Sequence, residues 1–137
     1  MEVLVVEDDP MNAKLFQMIL TRKGGYEVSV TDSPSEVLDK VRSGQVALVV
    51  MDVSLGDATY EGASIDGVGI TRIIKQDDAT KSIPVLLATA HAMQGDRETL
   101  LADSGAEDYV SKPILDHHDF LHKVSSLIVQ PPSADSP

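Results

Sequence analysis

Short apolar runs alternate along this chain with segments whose apolar residues recur at helical spacing. Val3 to Val6 is an unbroken run, the pattern of a strand buried on both faces. Met11, Leu15, Met18 and Ile19 then repeat at helical spacing until Gly24-Gly25 stops the helix. Tyr26 to Thr31 predicts a second strand. Ser33-Pro34-Ser35-Glu36 follows with an N-cap, a first-turn proline and a capping-box glutamate, opening a helix that runs to about Ser43 before Gly44. Ala47 to Met51 is the second strongly apolar strand, and it ends on Asp52. A long loop over residues 53–66, VSLGDATYEGASID, leads to a helix marked by Ile70, Ile73 and Ile74. Ile83 to Ala88 predicts a strand ending at Thr89, and Arg97 to Ser104 a helix closing on Gly105. Tyr109 and Val110 lie in a short fifth strand that ends at Lys112-Pro113. The last helix carries Phe120, Leu121, Val124, Leu127 and Ile128 on one face.

Five strands alternating with five helices predict an α/β fold, a parallel sheet covered by helices on both faces. Residues 1–129 read as one domain, and residues 130–137 as a polar, proline-rich, disordered tail. No internal repeat interrupts the alternation. In such sheets ligands bind outside the carboxyl ends of the strands, at the topological switch point. The residues that end these strands are Glu7 and Asp8, Asp52, Thr89 and Lys112. Three acids, a hydroxyl and an amine therefore converge on one rim.

Composition narrows what that rim can meet. The 137 residues are 42% hydrophobic and 24% charged, ordinary for a globular domain. No apolar run approaches the ~20 residues of a membrane span. Met1 leads straight into the first strand, so no signal peptide is expected. The absence of cysteine excludes disulfides, thiolate catalysis and thiolate zinc sites, and fits a cytoplasmic protein. A net charge of −11 argues against a nucleic-acid surface, which needs clustered Lys and Arg. Cations or basic protein patches are the natural partners of such a chain.

Glu7, Asp8 and Asp9 pose a problem at the end of an apolar strand. Two carboxylates about 4 Å apart repel by about 4 kcal/mol at an effective dielectric near 20. Oxygen donors without sulfur or histidine suit a hard cation, Mg²⁺ above all, which takes one or two carboxylates and leaves positions for phosphate oxygens. Such an ion would offset the repulsion among Glu7, Asp8 and Asp52. Lys112 adds a point charge suited to phosphate, and Thr89 a hydroxyl for a phosphoryl oxygen. A carboxylate beside Mg²⁺ and lysine is the arrangement that forms an aspartyl phosphate.

These residues resemble the receiver domains of two-component response regulators. LVVEDD is similar to their acidic motif, VVMDVSL to the phosphoacceptor strand, LLATA to the threonine strand and DYVSKP to the Lys-Pro motif. The resemblance covers about residues 2–128, and PMNAKLF and ATAHAMQGDRETL resemble single-domain regulators of the CheY/DivK type. It implies a doubly wound, flavodoxin-like (βα)5 fold with sheet order 2-1-3-4-5. It further implies that Asp52 is phosphorylated, with Mg²⁺ held by Asp8, Asp52 and the backbone carbonyl of Ser54, and by Glu7 through water. Asp9 is expected to point elsewhere. Thr89 and Lys112 would bind the phosphoryl group, Tyr109 would be the switch aromatic, and Ser54 and His91 would tune dephosphorylation. A cis Lys112-Pro113 bond is implied too, a geometry essentially confined to X-Pro. The partners would be a histidine kinase or histidine phosphotransfer protein and a downstream protein target, with no nucleic acid and no membrane. The chain would be a phosphoacceptor with intrinsic phosphotransfer and autodephosphorylation chemistry, not an enzyme.

Other readings are weaker. A Mg²⁺-dependent phosphatase of the haloacid dehalogenase type would carry D-x-D after its first strand, which EDDP lacks. A binding module that no longer uses phosphate would not need Asp52, Thr89 and Lys112 together. His118 and His122 have zinc-compatible spacing but no third ligand nearby, so a solvated helix face is expected. Gly67-Val68-Gly69 is too short for a dinucleotide fingerprint. The family pattern has a proline shortly after the phosphoacceptor. Here Gly56 replaces it, and the loop from Gly56 to Asp66 is longer than the family's. Tyr60 is expected to stand exposed on that loop as an anchor for partner choice.

Overall fold

The two unbroken apolar runs, Val3–Val6 and Val46–Met51, become the central strands of a sheet, because only a central parallel strand buries both of its faces. A computed structural model of the chain describes residues 2–55, 58–90, 94–112 and 114–128, with backbone alone for 94–97. Its strands are β1 (Glu2–Val6), β2 (Val28–Thr31), β3 (Val46–Asp52), β4 (Thr59–Tyr60), β5 (Ala63–Ser64), β6 (Val85–Thr89) and β7 (Asp108–Ser111). Its helices are α1 (Pro10–Met18), α2 (Pro34–Arg42), α3 (Gly67–Gln76), α4 (Gln94–Ser104) and α5 (His117–Ile128). Five strands pair in parallel in the order β2-β1-β3-β6-β7, which is 2-1-3-4-5 within that sheet. The parallel sheet expected from the alternation and the 2-1-3-4-5 order implied by the resemblance are both observed.

Alternation along each strand splits the core into two layers. Val3, Val5, Leu48 and Val50 face Phe16, Ile19 and Leu20 on one side and Phe120 and Val124 of α5 beside them. Leu4, Val6, Val49 and Met51 face Val37, Leu38 and Val41 of α2 and Ile70 and Ile74 of α3. Phe16 and Phe120 tie α1 to α5, their ring centroids 5.5 Å apart. Among the described residues no helix is long and apolar enough to cross a membrane.

Several boundaries differ from the sequence reading, each for a local reason. α1 continues as a π-helical turn over Ile19–Lys23, and the Tyr26 N–H is spent on the Leu20 carbonyl at 3.0 Å, so β2 starts only at Val28. Pro84 has no N–H to donate, so β6 starts at Val85 rather than Ile83. Ser33 caps α2 by accepting from the Glu36 N–H at 3.4 Å, but the capping box is not closed. The Glu36 carboxylate instead takes the Thr31 hydroxyl, whose oxygen accepts from the Ser33 N–H at 3.1 Å.

The largest departure lies in the loop after β3. Thr59 pairs with Ser64 and Tyr60 with Ala63 in a small antiparallel hairpin. Its two turn residues, Glu61 (φ 53°) and Gly62 (φ 83°), are both left-handed, as a tight type I′ hairpin requires. Gly62 meets that demand without steric cost, whereas Glu61 carries a Cβ against it. The expectation of an exposed Tyr60 is wrong. Tyr60 is half-buried and packs, with Ala58 and Ile65, against the core layer under α2 and α3. Gly56, His91, Pro113 and the expected tail at 130–137 lie outside the described residues.

Candidate functional site

Parallel register brings the strand-end residues together. Val6 pairs with Met51, Asp52 with Ala88, and Thr89 with Ser111, so Glu7, Asp52, Thr89 and Lys112 leave neighbouring strands nearly in step. The ladder extends just beyond the strands. Glu7 N–H donates to the Thr31 carbonyl at 3.0 Å, Val53 N–H to Ala88 at 2.9 Å and Lys112 N–H to Thr89 at 2.8 Å.

At that rim Lys112 Nζ lies 2.9 Å from Asp52 Oδ1 and 3.2 Å from Glu7 Oε1. Asp52 Oδ1 also accepts the Ser54 N–H at 3.1 Å, and Glu7 Oε2 accepts the Asp9 N–H at 3.2 Å. The Glu7 and Asp52 side chains are only 1% and 2% exposed, so these two carboxylates are held out of water. Asp8 stands at the surface beside them. One carboxylate oxygen from each of Glu7, Asp8 and Asp52 lies within 4.8 Å of the others, which is the span of a single metal ion. Asp9 is turned away: it caps α1, with Oδ1 accepting the Met11 N–H at 2.9 Å and Oδ2 the Asn12 amide at 3.4 Å.

The charges do not balance. Three carboxylates face one ammonium, at a place where burial weakens screening. Burial pushes the Glu7 carboxyl up to about 7, the hydrogen bond and charge of Asp52 push the same way, and the Asp9 N–H and Lys112 only partly oppose them. Burial works against the Lys112 charge, yet Asp52 and Glu7 together outweigh it and raise the ammonium above its ordinary value. An all-oxygen donor set with surplus negative charge and an exposed member, Asp8, fits a hard divalent cation.

The other candidates occupy different positions. Thr89 is buried at the end of β6. Ser54 is exposed just after β3. Tyr109 is half-buried on β7, packed against the core layer under α2 and α3, and Lys123 Nζ sits 5.1 Å from its ring centroid. It lines a groove of about 310 Å³ with Ile114, Leu115 and Phe120. On the opposite side, Asp8 opens into a polar cavity of about 440 Å³ walled by Asp32, Ser33, Leu55 and the hairpin residue Thr59. His91 and the Lys112-Pro113 bond fall outside the described residues. His118 and His122 are exposed, and the acidic trio is the one metal-competent group among the described residues.

Sequence reasoning passed over Gly67. It begins α3, and its N–H donates to the Val53 carbonyl at 3.0 Å, directly behind the rim. Glycine that opens a helix with no left-handed φ to call for it is a signal that something approaches closely there.

Fold and rim together define a class. Residues 3–125 match the response regulator receiver domain family, and the chain belongs to it. The polar-differentiation response regulator DivK of Brucella anthropi is 38% identical over 112 residues, a match covering 82% of this chain and 84% of that protein. The receiver domain of the sensor histidine kinase PA1611 from Pseudomonas aeruginosa PAO1, solved with a magnesium ion coordinated in its active site cleft, superposes with a TM-score of 0.76 at 28% identity, over 93% of this chain and 96% of that one. A sensor protein from Polaromonas sp. JS666 gives a TM-score of 0.77 at 26% identity, covering 93% and 94% of the two chains. The chain is thus a receiver domain of two-component signalling, homologous to DivK.

Proposed function

We propose that Asp52 is the phosphoacceptor, taking a phosphoryl group from a histidine kinase or histidine phosphotransfer protein in the cytoplasm. The observation that carries this reading is the buried Lys112–Asp52 contact of 2.9 Å beside Glu7 and Asp8. An Asp52 oxygen attacks phosphorus, the donor's N–P bond breaks, and its electron pair returns to the imidazole nitrogen. Asp8, Asp52 and the Ser54 carbonyl would hold Mg²⁺ directly, and Glu7 through water. When bound, that ion supplies the charge neutralisation that lets an anionic donor approach.

Lys112 needs only to pass from the Asp52 carboxylate to a phosphoryl oxygen, and Thr89 lies on the adjacent strand to offer its hydroxyl. Contacts made only with the phosphorylated form shift a pre-existing equilibrium. Tyr109, half-buried beside an open groove, has somewhere to turn, and a downstream protein would read the altered surface. Ser54 and His91 would tune dephosphorylation. This is phosphoacceptor chemistry with autodephosphorylation, and the proposed unit is residues 1–129.

Intact-mass measurement after incubation with phosphoramidate and Mg²⁺ tests the proposal. One added phosphate is expected, lost in Asp52→Asn and in chelator. Equal labelling of Asp52→Asn would remove Asp52 from the role.

A further inference from the structure

The Gly67-Val68-Gly69 stretch has no nucleotide to bind, yet its first residue sits against the rim. A Cβ built on Gly67 would lie 1.9 Å from the Asp52 carbonyl oxygen, 2.8 Å from the Asp52 carbonyl carbon and 3.0 Å from Met51 Cγ. Gly67 is helical, with no left-handed φ to require glycine. What demands glycine is contact: the first turn of α3 rests directly on the backbone of the residue that carries the site.

Three bonds fasten that contact. The Gly67 N–H donates to the Val53 carbonyl at 3.0 Å, the buried Thr71 hydroxyl donates to the Gly67 carbonyl at 2.7 Å, and the Asp66 carboxylate caps the turn by accepting from Gly69 N–H at 2.9 Å. On its other side the strand end is held by Val53 N–H on Ala88 and by Ser54 N–H on Asp52 Oδ1. Asp52 is therefore clamped between β6 and the start of α3.

We propose that Gly67 is a positioning residue, setting the height at which Asp52 meets Lys112 and a metal-bound phosphoryl donor. The inference rests on Asp52 being the phosphoacceptor. Since real Cβ contacts essentially never fall under 3.0 Å, alanine at 67 must move the Asp52 carbonyl or the helix by about an ångström. A misplacement of about 1 Å can cost a reaction about a hundredfold.

Gly69 supplies the control. It lies in the same helical turn, but the atoms nearest a Cβ there are those of the Ile65 side chain, at 2.8 and 3.3 Å, and Asp66 Oδ1 at 3.5 Å. Gly67→Ala and Gly69→Ala gain similar helix propensity, so their difference isolates the contact with Asp52. Folding is checked by thermal unfolding, and labelling by phosphoramidate is timed by intact mass. Gly67→Ala is expected to label about a hundredfold more slowly than the parent, and Gly69→Ala within about twofold of it. In chelator, the Val53 and Ser54 amide resonances should move in Gly67→Ala and stay in Gly69→Ala.

Should Gly67→Ala not fold, Asp66→Ala loosens the same turn without adding a clash, and is expected to label several-fold more slowly, while Asp66→Asn, which retains the cap, matches the parent. A parent that labels beside a folded Gly67→Ala that labels equally fast overturns this inference alone. So does a folded Asp66→Ala at the parental rate. A parent that takes no phosphate overturns the phosphoacceptor reading, and the inference with it.

Discussion

Lys75 and Lys112 sit at opposite ends of one sheet, and each is held by acid, but the two clusters are built differently. Lys75 reaches from α3 to the edge where β6 and β7 begin, donating to the carbonyls of Lys81 at 3.2 Å and Ile83 at 2.7 Å and to Glu107 Oε2 at 2.7 Å. The second Glu107 oxygen accepts the Val85 N–H at 2.8 Å. Three donors meet three acceptors and one positive charge meets one negative, so the cluster is closed. At the other end Lys112 faces Asp52, Glu7 and, beyond them, Asp8. That cluster is short of positive charge and largely buried, with Asp8 at its exposed edge. A closed cluster fastens a fold, whereas an unbalanced one holds a place for a ligand.

The contrast is sharpest in how each cluster answers to a cation. Lys112→Met should destabilise the chelated protein by about 3 kcal/mol or more, because carboxylates are left buried without their partner. Measured against the parent in the same buffer, that deficit should shrink in excess Mg²⁺, because the ion takes over the neutralisation that Lys112 supplied and so binds the variant more tightly than the parent. Lys75→Met should cost a smaller amount, about 1–3 kcal/mol, and its deficit against the parent should be the same with and without Mg²⁺, because its metal site is intact. Chemical denaturation of both variants with and without the ion makes the test. An equal change in the two deficits would erase the distinction.

Next in size is the effect within the acidic motif. Asp8→Ala should weaken Mg²⁺ binding by more than the about 10–100-fold typical of outer-shell partners, while Asp9→Ala should leave it near the parental value and cost only a helix cap, about 1 kcal/mol. Equal affinities in an isothermal titration would put the metal elsewhere.

A milder effect concerns protons. The folded Glu7 carboxyl lies near 7 and its ordinary value is 4.5. Between those values the native chain holds a proton that the unfolded chain has released, so stability present below about pH 4.5 is lost as pH rises through about 7. Asp52, Asp8 and Lys112 face that carboxyl and are retained in Glu7→Gln, whose stability in chelator should lose this slope. A profile that keeps the parental slope would trace it to another group.

The smallest change expected lies outside both clusters. Glu61→Asn should stabilise the hairpin by under about 1 kcal/mol, because asparagine tolerates the left-handed backbone better, and should leave labelling unchanged. A loss of stability in thermal unfolding would mean that Glu61 has a partner that outweighs its strain.

Much of this was legible in the residues. A strand buried on both faces shows as a continuous apolar run, so its last residue is visible, and Glu7, Asp52, Thr89 and Lys112 could be placed at one rim before any coordinates. That Asp9 points away followed from the family resemblance, and the structure shows it capping α1. What escaped was tertiary. Two-residue strands such as Thr59–Tyr60 have no period to detect, although Glu61-Gly62 between them carried the sign of a tight turn. Tyr60 packs on the core layer, a tertiary contact that no local pattern announces. Gly67 looked like part of a failed motif, because its close approach to Asp52 exists only once α3 docks on β3.

The central claim is that the charge-deficient cluster is organised around Asp52 as the residue that takes the phosphoryl group. Borohydride reduces an aspartyl phosphate to homoserine, marking the acceptor within the peptide. Protein labelled by phosphoramidate in Mg²⁺, reduced, digested and sequenced by mass spectrometry should show homoserine at position 52, with Asp8, Asp9, Asp32 and Asp66 intact. Homoserine at one of those positions instead, or labelled protein with Asp52 unreduced, would contradict the account.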